Sequence, residues 1–369
     1  MKKIAYLLGS LNRGGTETLM LDVFRNAEAN QLDAIGIYRK KGVCEQEFCD
    51  SGVQMFKLSP TKNIFNYLLK LRKLIKNQDI QIVHAQQPLD ALFAYFALLG
   101  TGIKILLTLH GFDYNENNVG GIIHKFILRH TILNIYVSSY QKDYYTKKYK
   151  LNSIKQVIIY NGISLDKLNF SDANISIRTT LKLKEKALLL GTVGNFVAGR
   201  DQFTICKFLK LLNDTKIDFH FLFIGKKSEN FKQKYDACVD FVNSNNLSDK
   251  VHFLGSRNDV PQLLKSMDSF IYSTDHDTFG IAVVEALACG LPVFVNNWDV
   301  MSEITENGKL ATLYKTKDEI DLFRQFSLYL QDKKQFQDKA NLAAKIVKEK
   351  YSIEKHIQNL KKMYLLSNH

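Results

Sequence analysis

Asp277 and Glu285 stand eight positions apart in Asp277-Thr278-Phe279-Gly280-Ile281-Ala282-Val283-Val284-Glu285. Ionised carboxylates each accept two or more hydrogen bonds, so such a pair suits a ligand rich in hydroxyls, a sugar above all. Glu285 follows two valines inside a helical run, where a free carboxylate would be costly. Asp277 falls in the loop before that helix, whose start at Gly280-Ile281 presents free N–H groups. A plainer reading is an N-cap Asp and a Glu paired with a lysine. Gly14-Gly15-Thr16-Glu17 follows the apolar run Ile4–Leu8 and opens a helical stretch. Paired glycines allow close backbone approach, and a helix N-terminus carries a positive dipole end, so a phosphate fits there. The run is neither GxGxxG nor a P-loop, and a plain tight turn would also account for it. His110 ends the strand-like Lys104–Leu109 and precedes Gly111. A histidine there can donate to a substrate hydroxyl or a developing oxyanion, or serve only the structure. Arg200, at the start of a helical stretch after Gly191–Gly199, makes a local anion site or pairs with Asp201.

These residues all fall just after strand-like segments. Short apolar runs at Ile4–Leu8, Ala34–Tyr38, Ile80–His84, Lys104–Leu109, Ile135–Ser138 and Val157–Ile159 alternate with stretches of helical period. The polar segment Asn161–Ser176 reads as a linker. A second series follows, with strands expected at Leu188–Gly194, Phe219–Ile224, Val251–Leu254, Ser269–Tyr272 and Pro292–Val295, then a helical tail over Asp318–Leu366 broken near Tyr351-Ser352. The expected fold class is α/β: two Rossmann-like doubly wound domains, 1–165 and 176–352, facing each other across a cleft where ligands bind at the strands' carboxyl ends.

The chain has 369 residues, 46% hydrophobic and 24% charged, with 4 Pro and 20 Gly, which excludes collagen-like and low-complexity chains. Its net charge of +13 points to an anionic partner: nucleic acid, membrane surface or phosphorylated small molecules. Residues 1–165 carry a net +9 of it. Two basic, aromatic stretches stand out: Lys70, Arg72, Lys73 and Lys76 beside Phe65 and Leu69, and Lys142, Lys147, Lys148 and Lys150 among Tyr140, Tyr144, Tyr145 and Tyr149. Either could be a solvated helix face; together they favour an anionic membrane. Five cysteines without CxxC spacing read as reduced thiols. The uncharged run Ala91–Ile103 is too short to span a bilayer.

The segment Asp277–Val293 resembles the acidic-x7-Glu signature of the retaining glycosyltransferases of family 4, whose usual pattern is E-G-F-G followed by L-E-A-M-A-C-G-L-P-V. Here it reads Asp277-Thr278-Phe279-Gly280, then Glu285-Ala286-Leu287-Ala288-Cys289-Gly290-Leu291-Pro292-Val293. Gly14-Gly15-Thr16-Glu17, His110-Gly111, Asn161-Gly162-Ile163 and Phe253-Leu254-Gly255 fall in the family's order. The resemblance implies the GT-B architecture, with the last helix crossing back so that 353–369 packs on the first domain. It implies that Gly14 and Gly15 set backbone amides against a donor diphosphate and that His110 contacts the transferred sugar. Asp277 then holds sugar hydroxyls, Phe279, Gly280 and Ile281 offer backbone groups to sugar and phosphate, and Glu285 holds the nucleotide ribose. The backbone around Arg257–Val260, with Val260 itself, meets the base edge. The family's Arg and Lys, five apart, correspond here to Asn195 and Arg200, so one diphosphate-binding cation is missing; Arg13 is a candidate to compensate.

The implied activity is metal-independent, retaining transfer from a nucleoside diphosphate sugar to a saccharide acceptor, lipid-linked in the assembly of a cell-surface polysaccharide. No cofactor is expected. The partners expected are the donor, the acceptor and an anionic membrane surface, without nucleic acid, and the expected place is the cytoplasm, peripheral on the inner face of the plasma membrane. A sugar-nucleotide epimerase on a related scaffold would explain the fold but not the Asp277–Glu285 signature. A nucleic-acid-binding protein would explain the charge, but no such motif supports it.

Overall fold

The structure, a computed structural model, describes residues 2–113, 119–151, 155–168 and 177–366. The chain divides into two compact units, Met1–Ile163 with Tyr351–His369, and Ser164–Lys350.

The first unit alternates strand and helix: β1 (Ile4–Ser10), α1 (Gly15–Arg25), β2 (Ala34–Lys40), α2 (Glu45–Cys49), β3 (Gln54–Lys57), α3 (Ile64–Asn77), β4 (Ile82–Ala85), α4 (Pro88–Ala97), β5 (Lys104–Leu109), α5 (Val119–His130), β6 (Leu133–Tyr136), α6 (Ser139–Tyr149) and β7 (Gln156–Ile158). All pairings are parallel, in the order β3-β2-β1-β4-β5-β6-β7. β1 is apolar and buried almost throughout because helices cover both faces of the sheet. Ile4, Tyr6 and Leu8 point into one core with Phe24 of α1, whereas Ala5 and Leu7 point into another with Tyr67, Leu71 and Ile75 of α3.

The second unit holds α7 (Ile177–Thr180), β8 (Leu188–Val193), α8 (Gln202–Asp214), β9 (Phe219–Ile224), α9 (Lys232–Ser244), β10 (Val251–Gly255), α10 (Val260–Ser266), β11 (Ser269–Tyr272), α11 (Ile281–Ala288), β12 (Val293–Asn296), α12 (Asp299–Ile304), β13 (Thr312–Tyr314), α13 (Glu319–Gln331) and α14 (Lys333–Lys350). Its parallel sheet runs β10-β9-β8-β11-β12-β13. In both units strand order reverses beside the first strand, at β1/β4 and at β8/β11. Doubly wound sheets open a crevice at the carboxyl ends of such strands.

The chain returns to the first unit in α15 (Ile353–Leu366). Its Ile353, Ile357, Leu360 and Tyr364 are buried in the Tyr6 core, each contributing about 1.5–3 kcal/mol. The expected linker is shorter than its polarity suggests. Ile163 pairs with Ser352, donating to Tyr351 O at 2.8 Å and accepting from Ile353 N at 2.9 Å, and Leu168 is buried. Residues 169–176, the rest of that expected linker, lie outside the described residues. The helical tail breaks at Asp332 as well as at Tyr351-Ser352.

Candidate active site

In the first unit the loops after β1, β4 and β5 surround a cavity of about 290 Å³, lined by Thr16, Gln86, Gln87, Pro88, Leu109, His110, Gly111, Phe112, His124 and Tyr145. His110 follows β5 directly, and its Nε2 lies 2.8 Å from Oε1 of the buried Gln86, which follows β4. Below it a polar chain runs through the sheet. Thr108 Oγ1 is 2.7 Å from His84 Nε2, His84 Nδ1 is 2.7 Å from the Tyr364 hydroxyl, and that hydroxyl is 2.7 Å from the Tyr6 hydroxyl. His356 of α15 bonds Tyr160 O through Nδ1 at 2.8 Å. Burial, with His356 nearby, pushes the His110 imidazole down to about 3. Burial also depresses His84 to about 3, aided by His110 and His356, and His356 to about 4. All three are therefore neutral at physiological pH, so His110 acts as a neutral hydrogen-bonding group.

The Gly14-Gly15 loop follows β1. Gly14 caps α1 in an extended conformation without a side-chain cap, and Gly15, the first helical residue, is exposed. Glu17, in the first turn of the helix, folds back over Gly14, its Oε2 2.7 Å from where a Gly14 Cβ would stand. Arg13, the candidate compensating cation, is committed elsewhere: it bonds Glu47 of α2, which Arg25 also reaches at 3.3 Å.

In the second unit two loops are strapped together. Arg200 forms an antiparallel bridge with Thr274, Thr274 Oγ1 donates to Gly199 O at 2.7 Å, and Asp275 N donates to the same oxygen at 3.0 Å. Gly199 has φ +81°, and a Cβ there would lie 2.5 Å from His276 Cβ, so the strap requires glycine. This closure joins residues 74 to 76 apart in sequence. Arg200 Nη1 donates to Asp277 Oδ2 at 2.6 Å, the Tyr272 hydroxyl donates to that same oxygen, and the Arg200 guanidinium lies 4.7 Å from the Tyr272 ring centre. Asp277 Oδ1 accepts from Thr278 N at 2.9 Å. Arg200 therefore pairs with Asp277 rather than with Asp201, which caps α8 through Thr204 N. The Phe279 side chain is buried, Gly280 takes φ +84° as N-cap of α11, and Ile281 starts that helix. Glu285 is partly exposed between buried Val284 and Ala286, so its carboxylate is not driven into the core as its valine neighbours suggest.

Asn195 follows β8, and its Oδ1 accepts from Lys226 N at 2.9 Å, tying the loop after β8 to the loop after β9. Val260 opens α10 behind the Arg257–Asp259 ion pair, whose shorter contact is 2.6 Å. The spacing Asp275-His276-Asp277 is an Asp-x-Asp that the expectation of a metal-free site overlooks. In the structure both carboxylates face cations: Asp275 meets Lys317 at 3.1 Å, and Asp277 meets Arg200. Among the described residues no group of three or more His, Cys, Asp or Glu side chains could hold a metal.

The structure thus brings Arg200 and Asp277 together at the mouth of α11, with Glu285 on that helix, and places His110 and Gln86 on one cavity. Gln86, Gln87 and Tyr272 were absent from the sequence-derived candidates, and Tyr145 entered them only as a membrane-facing aromatic. Gln86 and Gln87 follow a strand as His110 does, and that placement was the available signal. The second basic stretch differs from expectation: in α6, Tyr145 and Tyr149 are buried, and Tyr144 and Lys148 bond the Asp113 carbonyl, so its aromatic side turns inward.

Two family models match the chain, "Glycosyltransferase Family 4" over residues 13–167 and "Glycosyl transferases group 1" over 174–351. A UDP-Gal:alpha-D-GlcNAc-diphosphoundecaprenol alpha-1,3-galactosyltransferase of Escherichia coli is 23% identical over 381 aligned positions, covering 98% of this chain and 96% of the relative. An N-acetyl-alpha-D-glucosaminyl L-malate synthase of Bacillus anthracis is 23% identical over 301 positions, 80% of this chain and 77% of the relative. The crystal structure of Anabaena HepE in complex with UDP and glucose superposes with a TM-score of 0.86 at 17% identity, covering 99% of each chain. That likeness shows a GT-B fold.

Proposed function

Because the chain belongs to the glycosyltransferases of family 4, we propose that it transfers a sugar from a uridine diphosphate sugar to a hydroxyl of a lipid-linked saccharide, with retention at the anomeric carbon. The observation that carries this reading is the Arg200–Asp277–Tyr272 cluster at the N-terminus of α11, with Glu285 on the same helix. It combines a cation and free helix amides for a diphosphate with carboxylates for sugar and ribose hydroxyls. The E. coli relative, matched along nearly its whole length, is named for a diphosphoundecaprenol acceptor. That favours a lipid-linked saccharide over a small acid such as the malate in the other relative's name.

The bond between the anomeric carbon and the leaving phosphate oxygen breaks first, and its electron pair stays on the diphosphate. Arg200 and the amides of Gly280 and Ile281 stabilise that charge, and Gly14 and Gly15 add theirs, so no metal is required. The acceptor oxygen bonds the anomeric carbon on the face the leaving group departs, and its proton passes to the leaving phosphate oxygen. Neutral His110 donates to a hydroxyl of the transferred sugar, Asp277 accepts from another, and Glu285 holds the ribose. The basic first unit brings the enzyme to an anionic membrane. Among the described residues no helix is long and apolar enough to cross one.

A panel of nucleoside diphosphate sugars, followed by single-turnover transfer to a lipid-pyrophosphate saccharide with chelator present, tests this. UDP release coupled to an α-linked product is expected, with rates falling on the order of 100-fold in both Arg200→Ala and Glu285→Ala. Unchanged rates in both variants would refute the site, and epimerised donor without acceptor would refute transfer.

A further inference from the structure

The helices α3, α4 and α5 lie side by side on one face of the first sheet and turn large apolar side chains outward. Of the ten exposed large hydrophobic residues in the described part of the first unit, seven lie on these helices or just after α4. Phe65 and Leu69 of α3 are 67% and 50% exposed, Phe96 of α4 and the following Leu99 are 46% and 52%, and Ile122 of α5 is 70%. The three helices are joined along this face: Phe96 of α4 stacks on Phe126 of α5 at 6.0 Å between ring centres, and Arg72 Nη1 of α3 donates to Ala97 O and Leu99 O at 3.0 and 2.9 Å.

Its charge has one sign. α3 carries Lys70, Arg72, Lys73 and Lys76, and α5 carries Lys125 and Arg129, with no acid on either helix. The acid of α4, Asp90, is buried and paired with Arg39. Lys70, Lys73 and Lys125 are exposed among the apolar residues. Isolated exposed leucines need no explanation, but a contiguous apolar face rimmed by cations does. The inward side of α3 is occupied by Tyr67, Leu71 and Ile75, so Phe65 and Leu69 are surplus to the core.

We propose that the outer face of α3–α4–α5 docks on an anionic lipid surface. Phe65, Leu69, Phe96 and Leu99 enter the boundary between headgroups and acyl chains, and Lys70, Lys73 and Lys125 meet lipid phosphates. A nucleic acid would take the lysines and stack a base on a phenylalanine, but it has no use for the exposed aliphatic side chains Leu69, Leu99 and Ile122. The proposal rests on the reading of a lipid-linked acceptor given above, and it assigns membrane contact to this face rather than to α6.

Co-sedimentation with phosphatidylcholine vesicles, with and without phosphatidylglycerol, tests it at low and high salt. Transfer to a water-soluble acceptor analogue is measured in parallel. Wild type is expected to bind the phosphatidylglycerol vesicles in a salt-sensitive way. Lys70→Glu/Lys73→Glu/Lys125→Glu should weaken binding by on the order of 100-fold, and Phe65→Ser/Leu69→Ser should weaken it at every salt concentration. Lys142→Glu/Lys147→Glu on α6 should match wild type, and all variants should keep transfer to the soluble analogue. Vesicle binding equal to wild type in both the lysine and the Phe65/Leu69 variants would overturn this face while leaving a membrane-bound acceptor standing. Absence of wild-type vesicle binding with soluble transfer intact would overturn docking but not transfer. A wild-type dimer that these variants of the face dissociate would assign the face to a second copy of the chain instead.

Discussion

Lowering the pH from 7 to 5 destabilises the first unit through two histidines that carry no proton in the fold. His84 and His356 are 1% and 5% exposed, and burial brings them to about 3 and about 4. An unfolded histidine titrates near 6.5. Between those values the unfolded chain binds protons that the folded unit refuses, so stability is whole above about 6.5 and is lost as the pH falls below it. From pH 7 to 5 the loss is about 2 kcal/mol for each of these two histidines and about 4 kcal/mol for the pair, and His110, depressed likewise but only half-buried, adds a smaller part. That is a large part of the roughly 5–15 kcal/mol by which a domain is stable. The hydrogen bonds are not the cause, because the Tyr364 and Thr108 hydroxyls flanking His84 can accept as readily as donate. The cost is desolvation of charge, increased by mutual repulsion among His84, His110 and His356.

Urea melts at several pH values, read by hydrogen exchange on peptides spanning β4 and α15, measure this directly. Trp298, the single tryptophan of the chain, reports the second unit in the same samples. The β4 and α15 peptides should lose protection at markedly lower urea at pH 5, and His356→Gln should remove about half of that shift. An equal midpoint for these peptides at pH 5 and pH 7 would refute the argument.

Two further outcomes follow from the site geometry. Gln86→Glu places a carboxylate 2.8 Å from His110 Nε2 and should raise the His110 pKa by about 1–3 units from about 3. Transfer should then fall below pH 6 in Gln86→Glu but not in Gln86→Leu; parallel pH–rate profiles would separate His110 from the chemistry. Gly199→Ala forces a non-glycine residue to φ +81° against His276 and should destabilise the second unit by about 1–3 kcal/mol, with a raised donor KM as Arg200 is displaced. Wild-type stability and KM in that variant would deny the strap its role.

The alternation of strands and helices was legible because buried parallel strands such as Ile4–Leu8 and Phe219–Ile224 are continuous apolar runs that stand out from amphipathic helices. The elements that escaped notice are short or peripheral. β3 is four residues, Gln54–Lys57, at a sheet edge where only Met55 and Phe56 are even half-buried, and β13 spans three residues. The end of the first series also misled, because Asn161 and Ile163 look like linker but are buried where the chain meets Ser352. Local spacing placed Asp277 before α11 and His110 after β5. It could not pair Arg200 with Asp277 across 77 residues, since that contact depends on the bridge between Arg200 and Thr274. Nor could it tell α3 from α6: both read as basic and aromatic, and only packing shows Phe65 turned outward and Tyr145 turned inward.

On the proposed reading, the same packing accounts for how a site with one family cation replaced would neutralise a diphosphate. Asn195 does not stand idle at the position of the missing charge: its Oδ1 holds Lys226 N and so fixes the loop after β8. Arg13 is held by Glu47. The burden falls on Arg200, which Asp277 grips through a single nitrogen while Tyr272 supports the guanidinium plane. A guanidinium has five N–H donors in a fixed fork, so one bond to Asp277 leaves donors for a phosphate without releasing the carboxylate. An ammonium at the same place is a point charge on a flexible stem, and it would have to divide itself between Asp277 and the ligand. Fixing the fork in advance also removes the entropy of ordering a long side chain when the phosphate arrives, and preorganised donors of this kind stabilise developing charge most strongly. On the proposed reading, one arginine held from behind would do part of the work of a looser pair of cations, and Asp277 would serve twice, as the anchor of that arginine and as the acceptor for a sugar hydroxyl.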